Sequence, residues 1–209
     1  MAQPAAKLSV SIPGELAAAV RKRVGARGLS GFVARAVAHE LEREGIAVLL
    51  DQLEQQLGPP LQGRARSCAQ SMAEALILDA EVLNALASPT ERSALAKRAA
   101  AVLRLAHQRR ALVRVPAPVL AEVCRGVRYD SAVNHLLNNP GVGVLELTRT
   151  IAQQAGHLLA RFKLSSAHAV DAFVVATAAQ FDTAVIATAD AEDIRRLAAP
   201  FSKIGVFSL

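Results

Sequence analysis

Four acidic residues stand where an α/β sheet carries its functional groups. Asp79 directly follows the apolar run "ALIL", and Asp190 comes two residues after "AVIAT". Glu122 and Asp171 fall in helical stretches, Asp171 within an apolar stripe. A carboxylate beside apolar packing loses hydration unless it is paired or binds a cation. Because hard divalent ions take oxygen ligands, the four residues predict a site for Mg²⁺ or Mn²⁺.

The elements that position these acids are readable from Ala75 onward, where short apolar runs alternate with amphipathic helical stretches. This alternation predicts an α/β fold with a mostly parallel sheet and helices on both faces. Ligands of such sheets bind beyond the carboxyl ends of the strands, where Asp79 and Asp190 fall. The predicted strands are "ALIL", "LVRV", "VGVLEL", "AVIAT" and "IGVFSL".

Each acid also has an ordinary structural interpretation. Asp79 and Asp190 are suited to cap the helices that follow them. Glu122 and Asp171 are suited to pair with nearby arginines. We favour one shared cation because four separate structural coincidences are less probable than one common site.

Four stretches, "LILDAEVLNAL", "VPAPVLAEVCRG", "HAVDAFVVATAA" and "VIATADAEDIRRL", together resemble a PIN-domain ribonuclease of the VapC toxin type, from about residue 75 to 209. The resemblance implies Mg²⁺- or Mn²⁺-dependent hydrolysis of RNA, with Asp193 as an auxiliary acid and Thr188 as a nearby hydroxyl. One departure is that Ala80 and Glu81 follow the first acid, where the family often has a small hydroxyl residue. The family's catalytic and metal-binding quartet falls on Asp79, Glu122, Asp171 and Asp190.

The N-terminal residues show a different pattern. Residues 7–12 alternate apolar and polar side chains, which predicts a strand. Gly25 and Gly28 are expected to end the helix that follows, Ser30 to cap a second helix, and Gly45 to stop it. Because so short a unit buries little surface, we expect dimerisation through the strand, which gives a two-stranded ribbon.

The stretch "KLSVSIPGELAAAVRKRVGARGLSGFVARAVAHELERE" resembles a ribbon-helix-helix DNA-binding domain of the antitoxin type. The resemblance implies a homodimer or larger homo-oligomer that binds operator DNA. Lys7, Ser9 and Ser11 would form the ribbon face toward base edges, and the amides after Ser30 would hold a phosphate. A solvated strand face is the simpler alternative.

An amphipathic helix at 46–57 and a linker connect the N-terminal strand-helix-helix pattern to the α/β pattern, which begins at Met72. We therefore divide the chain into a ribbon-helix-helix domain at 1–45, an antitoxin arm at 46–71 and a PIN-like domain at 72–209. Together the resemblances imply a toxin–antitoxin pair in one chain, whose tethered antitoxin inhibits the ribonuclease and represses its own transcription. Arg64 and Arg66 are the candidate inhibitory residues, since a guanidinium pairs with carboxylates and displaces a cation.

Two other functions stay open. One is a DNA-binding transcriptional repressor whose PIN domain is catalytically silent. The other is a DNA-directed nuclease of the same fold, which a competition between RNA and DNA substrates would distinguish.

Composition limits the partners further. The formal net charge of +6 favours polyanions, and the basic stretch from Arg92 to Arg114 is suited to an RNA backbone or is simply a solvated face. Two cysteines are too few for a disulfide framework, and we find neither a targeting segment nor a membrane span. These features predict a cytoplasmic protein without a membrane partner. The five histidines are interpreted as scattered structural or surface residues, without the spacing of metal ligands.

Overall fold

The structure is a computed structural model that describes residues 9–58 and 74–209. The chain divides into two compact units, residues 1–40 and residues 41–209. Within the described ranges, we find no helix with the length and apolar character that a bilayer crossing requires.

The first helix, α1, spans Gly14–Leu57 and is interrupted at Gly25, whose φ of 70° and ψ of 170° are not helical. The predicted helix ends at Gly28 and Gly45 and the predicted cap at Ser30 are wrong, because α1 passes through all three positions. A glycine inside a helix lowers helix stability by only about 1 kcal/mol relative to alanine. The helical preference of the neighbouring residues outweighs this loss. The break lies where a glycine adopts a left-handed φ.

The predicted ribbon strand is not seen in residues 9–13, which are the described residues before α1. Ser9 and Ser11 lie in a segment without regular structure, while Lys7 lies outside the described residues. A ribbon strand pairs with a second chain, so the ribbon stays a prediction.

The second unit contains a five-stranded sheet in which every neighbouring pair of strands is parallel. This confirms the predicted α/β fold and all five predicted strands. The strand order is β3-β2-β1-β4-β5. The strands are β1 (Ala75–Leu78), β2 (Leu112–Pro116), β3 (Val142–Leu145), β4 (Ala184–Thr188) and β5 (Ile204–Ser208).

In the described part of the chain, seven further helices connect and flank the strands, and 3-10 turns at Ala117–Val119 and Ser166–His168 lead into two of them. The helices are α2 (Ala80–Ala87), α3 (Ser93–Arg109), α4 (Leu120–Val123), α5 (Val127–Leu137), α6 (Arg149–Phe162), α7 (Ala169–Ala178) and α8 (Ala191–Ala198).

Strand β1 lies at the centre of the sheet, and all four of its residues are buried. It pairs with β2 on one side and with β4 on the other, with Leu78 opposite Ala187 at the carboxyl end. The chain moves outward through β2 and β3 and then returns to β4, so the strand order reverses beside β1. Parallel α/β sheets bind ligands at such a reversal, outside the carboxyl ends of the strands.

The C-terminal part of α1 belongs to the second unit. Ile46, Leu49, Leu50 and Leu53 are buried in the same core as the sheet. The side-chain amide of Asn139 donates a hydrogen bond to the carbonyl of Gly45 at 2.9 Å. The helix that we assigned to an antitoxin arm is thus packed into the PIN-like unit.

Two ion pairs fix the same part of α1 to the unit. Arg114 of β2 contacts the carboxylate of Glu42 at 2.9 Å, and Arg104 of α3 pairs with Glu54. The Arg114 side chain is only 12% exposed, so its pair with Glu42 is better shielded from solvent than an ordinary surface pair.

Candidate active site

Asp79 is the first residue after the central strand and the N-cap of α2. Its carboxylate accepts a hydrogen bond from the backbone N–H of Glu81 at 2.8 Å. The hydroxyl of Thr188 and the backbone of Val82 also interact with it and favour its ionised form. Burial outweighs these interactions and raises the pKa of Asp79 above its ordinary value. The first acid is therefore oriented by the fold yet poorly solvated.

Thr188 ends β4 and is completely buried. Its hydroxyl accepts a hydrogen bond from the backbone N–H of Asp190 at 3.0 Å and lies 2.9 Å from the carbonyl of the same residue. Since the hydroxyl also interacts with Asp79, it joins the ends of β1 and β4 at the reversal of strand order.

Asp171 lies in the first turn of α7, a helix that packs on β1, β2 and β4. The pKa of Asp171 is raised to about 6, first by burial and then by the negative charges of Glu122, Asp193 and Asp79. His168 acts in the opposite direction. The carboxylate of Asp171 thus senses three other acids at once, which places it at the centre of the cluster.

Glu122 lies in α4, on the segment that follows β2. Partial burial is the largest cause of its raised pKa, and the negative charge of Asp79 is the next. Arg125 partly offsets this effect through its positive charge. However, the Nε of Arg125 donates its hydrogen bond to the backbone carbonyl of Glu122 at 3.1 Å. This hydrogen bond leaves the carboxylate of Glu122 itself unpaired with Arg125, and the negative charges of Asp79 and Glu81 act on that carboxylate.

The two acids that follow β4 have different surroundings. Asp190 is the N-cap of α8, and its carboxylate accepts a hydrogen bond from the backbone N–H of Glu192 at 3.4 Å. Asp193 lies one turn further on, with a carboxylate oxygen 3.4 Å from Nδ1 of His168. Among the described residues, His168, Asp171 and Asp193 offer ligand atoms within 4.8 Å of one another, a spacing suited to a single cation.

Comparison with known proteins agrees with this geometry. The family model of the PIN domain matches residues 76–200, more than half of the chain. This chain belongs to the PIN-domain family. PIN domains are typically metal-dependent nucleases. The matched range contains Asp79, Glu122, Asp171, Asp190 and Asp193. No curated protein and no solved structure matches the chain.

The residues of this PIN domain suit a hard divalent cation. The pKa values of Asp79, Glu122 and Asp171 are raised first by burial and then by the repulsion of neighbouring carboxylates. Glu81 acts on Asp79, Asp79 acts on Glu122, and Glu122, Asp193 and Asp79 act on Asp171. A divalent cation relieves this repulsion, and carboxylate oxygens are the ligands that Mg²⁺ and Mn²⁺ prefer. The predicted ligands are Asp79, Glu122, Asp171 and Asp190, with Asp193 as an auxiliary acid. Asp79 and Asp190 each also cap the helix that follows.

Sequence reasoning overlooked His168. Its ring lies at the start of α7, three residues before Asp171, and the two side chains face each other with 3.8 Å between Nδ1 and a carboxylate oxygen. Side chains three residues apart on a helix are neighbours, so the spacing between a histidine and a predicted ligand was the available signal.

The basic stretch of the PIN domain is partly neutralised within the chain. Arg92 pairs with Glu81, and the pairs of Arg104 and Arg114 with acids of α1 engage two more of its cations. The pairing of Glu81 also agrees with its omission from the predicted quartet. Three cations of this stretch are therefore already engaged within the chain.

Proposed function

We propose that this chain is a Mg²⁺- or Mn²⁺-dependent endoribonuclease that hydrolyses phosphodiester bonds of RNA. The observation that supports this function best is the cluster of His168, Asp171 and Asp193, whose ligand atoms lie within 4.8 Å of one another. The negative charges of Glu122 and Asp79 also act on Asp171. Asp79 lies at the reversal of strand order in a fold whose family typically consists of metal-dependent nucleases. The choice of RNA follows from the sequence resemblance to VapC toxins.

A divalent cation at such a site stabilises negative charge on a phosphate and makes a water molecule more acidic. The residues of the chain hold and orient the site. The N–H of Glu81 and the hydroxyl of Thr188 fix the carboxylate of Asp79. The helices α2, α7 and α8 begin at the cluster, and their positive N-terminal ends favour a phosphate there. No nucleophilic side chain is required.

A cleavage assay with single-stranded RNA tests this function. Wild-type chain, Asp171→Asn and the control Asp51→Asn are incubated with Mg²⁺, Mn²⁺ or EDTA. Asp51 is an exposed residue of α1. We expect divalent-dependent cleavage that is lost in Asp171→Asn and retained in Asp51→Asn. DNA of the same sequence serves as a competitor, and preferential cleavage of DNA would identify a DNA-directed nuclease instead.

We further propose that the ribonuclease is inhibited by residues Arg64 and Arg66, which lie outside the described residues. The described contacts of α1 support this assignment. Gly45 packs on Gly141 just before β3, whereas the acids follow the carboxyl ends of the strands. The ion pairs described for Glu42 and Glu54 of α1 are with Arg114 and Arg104, so these contacts leave the acids of the site to the segment that contains Arg64 and Arg66.

Charge reversal tests this inhibition. Combining Arg64→Glu with Arg66→Glu in the full chain should raise cleavage, because the carboxylates would lose their competing cations. Unchanged cleavage in the double variant, with Asp171→Asn still inactive, would show that these arginines do not block the site.

We also propose that residues 1–45 bind operator DNA as a dimer. Every residue from 9 to 40 whose side chain is described is at least partly exposed, including Leu16 at 54% and Val37 at 52%. A unit that buries so little apolar surface by itself needs a partner, which a second copy would supply. Ser9 and Ser11 are exposed, as a DNA-facing surface requires, while Ser30 lies inside α1.

Sedimentation and gel-shift measurements with the DNA upstream of the coding region test this part. We expect a dimer whose DNA binding is weakened by Lys7→Ala combined with Ser9→Ala. DNA binding by a chain that cleaves no RNA, even as the double arginine variant, would favour a repressor with a silent PIN domain.

A further inference from the structure

His168 approaches two acids that come from different parts of the fold. Its Nδ1 atom lies 3.4 Å from a carboxylate oxygen of Asp193 and 3.8 Å from one of Asp171. Asp171 belongs to the first turn of α7, and Asp193 to the first turn of α8. All three side chains are about one third exposed, so solvent and ions reach them.

These distances are longer than those of good hydrogen bonds. Nitrogen–oxygen hydrogen bonds measure about 2.7 to 3.2 Å, and both distances from Nδ1 exceed that range. Ligands placed about 2.1 Å from a shared cation stand about 3 to 3.5 Å from one another, depending on geometry. The 3.4 Å approach of His168 to Asp193 lies within this range, and the 3.8 Å approach to Asp171 lies about 0.3 Å beyond it.

We propose that Nδ1 of His168 is a direct ligand of a cation shared with Asp171 and Asp193, which makes the site selective for transition-metal ions such as Mn²⁺ over Mg²⁺. Imidazole nitrogen binds Zn²⁺, Cu²⁺, Fe²⁺ and Ni²⁺ best. Mn²⁺ also prefers oxygen ligands, but as a transition-metal ion it accepts an imidazole nitrogen more readily than Mg²⁺ does. This inference deepens the proposed function and rests on it, because the cation is the one that supports hydrolysis.

The alternative role for His168 is that of a positive counter-ion to the two acids. The two roles predict opposite changes in cation affinity when the histidine is removed. Removing a ligand weakens the binding of the preferred ion, while removing a competing positive charge strengthens the binding of any dication. Substitution by glutamine therefore separates the two roles without an activity measurement.

Calorimetric titration of the full chain with Mn²⁺ and with Mg²⁺, without RNA, measures whether the substitution weakens or strengthens cation binding. The variants are His168→Gln and the control His157→Gln, since His157 is an exposed histidine of α6. We expect His168→Gln to weaken Mn²⁺ binding at least about tenfold, with a smaller loss for Mg²⁺. His157→Gln should bind both ions as the wild type does.

Pulsed electron paramagnetic resonance of bound Mn²⁺ gives a second readout that needs only the wild-type chain. We expect coupling to a histidine nitrogen, which shifts when histidine is labelled with ¹⁵N and disappears in His168→Gln. Absence of nitrogen coupling in the wild type, its persistence in His168→Gln, or Mn²⁺ binding that is unchanged or tighter in that variant would overturn the proposal.

The same experiments separate this inference from the proposed function. A chain that cleaves RNA with Mn²⁺ but shows no nitrogen coupling retains the function and loses the inference. A chain that shows nitrogen coupling from His168 but cleaves no RNA retains the ligand and loses the function. Failure to bind either ion overturns both.

Discussion

Gly45 of α1 and Gly141 before β3 approach so closely that a Cβ atom on Gly45 would lie 2.5 Å from the backbone nitrogen of Gly141. A Cβ on Gly141 would in turn lie 2.5 Å from the nitrogen of Ile46. Two backbones meet here without space for a side chain on either. The contact places Gly45 at the amino end of β3, whereas Asp79 and Asp190 follow the carboxyl ends of β1 and β4.

Gly45→Ala should therefore destabilise the chain, by about 1 to 3 kcal/mol, because the new methyl group forces backbone to move. The control is Gly156→Ala in α6, where an added Cβ meets no atom within 4 Å. Alanine is the better helix former by about 1 kcal/mol, so the control should be neutral or stabilising. Urea unfolding of both variants measures the difference. Equal effects would show that the approach of the two glycines does not constrain the fold.

Removal of α1 should expose apolar surface on the PIN unit. A fragment of residues 72–209 lacks Ile46, Leu49, Leu50 and Leu53, all buried against that unit. We expect it to bind a hydrophobic dye and to self-associate, while a fragment of residues 41–209 does neither. Size-exclusion chromatography with dye fluorescence tests this. A monomeric 72–209 fragment without dye binding would contradict the assignment of this helix to the PIN unit.

The raised pKa of Asp171 predicts how stability depends on pH in the absence of divalent cations. Its pKa is about 6 in the folded chain against an ordinary 3.8, so between these values the folded state binds more protons than the unfolded state. The free energy of unfolding contributed by this group therefore falls as pH rises through that window. Asp79 and Glu122 act in the same direction, because their pKa values are also raised.

Urea unfolding in EDTA at about pH 4.5 and about pH 7.5 measures this dependence. Asp171→Asn should be more stable than the wild type at the higher pH, and the loss of stability between the two conditions should be smaller. Asp51→Asn, which changes an exposed acid of α1, should retain the wild-type difference. A variant at position 171 that is less stable than the wild type at the higher pH would contradict the account.

Asp190 and Asp193 should differ when each is changed to asparagine. Asparagine caps a helix about as well as aspartate, so Asp190→Asn should keep both α8 and most of the cleavage activity. Asp193→Asn removes a charge that acts directly on Asp171, so Mn²⁺ binding should weaken by at least about tenfold. Titration with Mn²⁺ and RNA cleavage test both variants. A larger effect at position 190 would support the predicted quartet, in which Asp190 is a metal ligand.

The sequence predicted the sheet well because its strands are short apolar runs separated by clear helical periodicity. All residues of β1 and β4 are buried, and this burial is what their uninterrupted apolar character indicates. The positions of Asp79 and Asp171 at the rim followed from the same pattern.

Two features could not be read from the pattern alone. Gly28 and Gly45 look like helix ends, but helix termination depends on tertiary contacts, and Gly45 is required for the approach to Gly141. The approach of Asp193 to His168 depends on the rotation of α8 around its cap. Spacing along the chain does not specify that rotation.

The most direct test of the central claim is RNA cleavage by the full chain carrying Arg64→Glu and Arg66→Glu, with and without Asp171→Asn. The wild-type chain is measured alongside, with Mn²⁺, Mg²⁺ or EDTA. The account predicts divalent-dependent cleavage of single-stranded RNA that Asp171→Asn abolishes. Cleavage that persists in Asp171→Asn or in EDTA would contradict a nuclease centred on this acidic cluster, and so would an absence of cleavage by both the wild type and the double arginine variant.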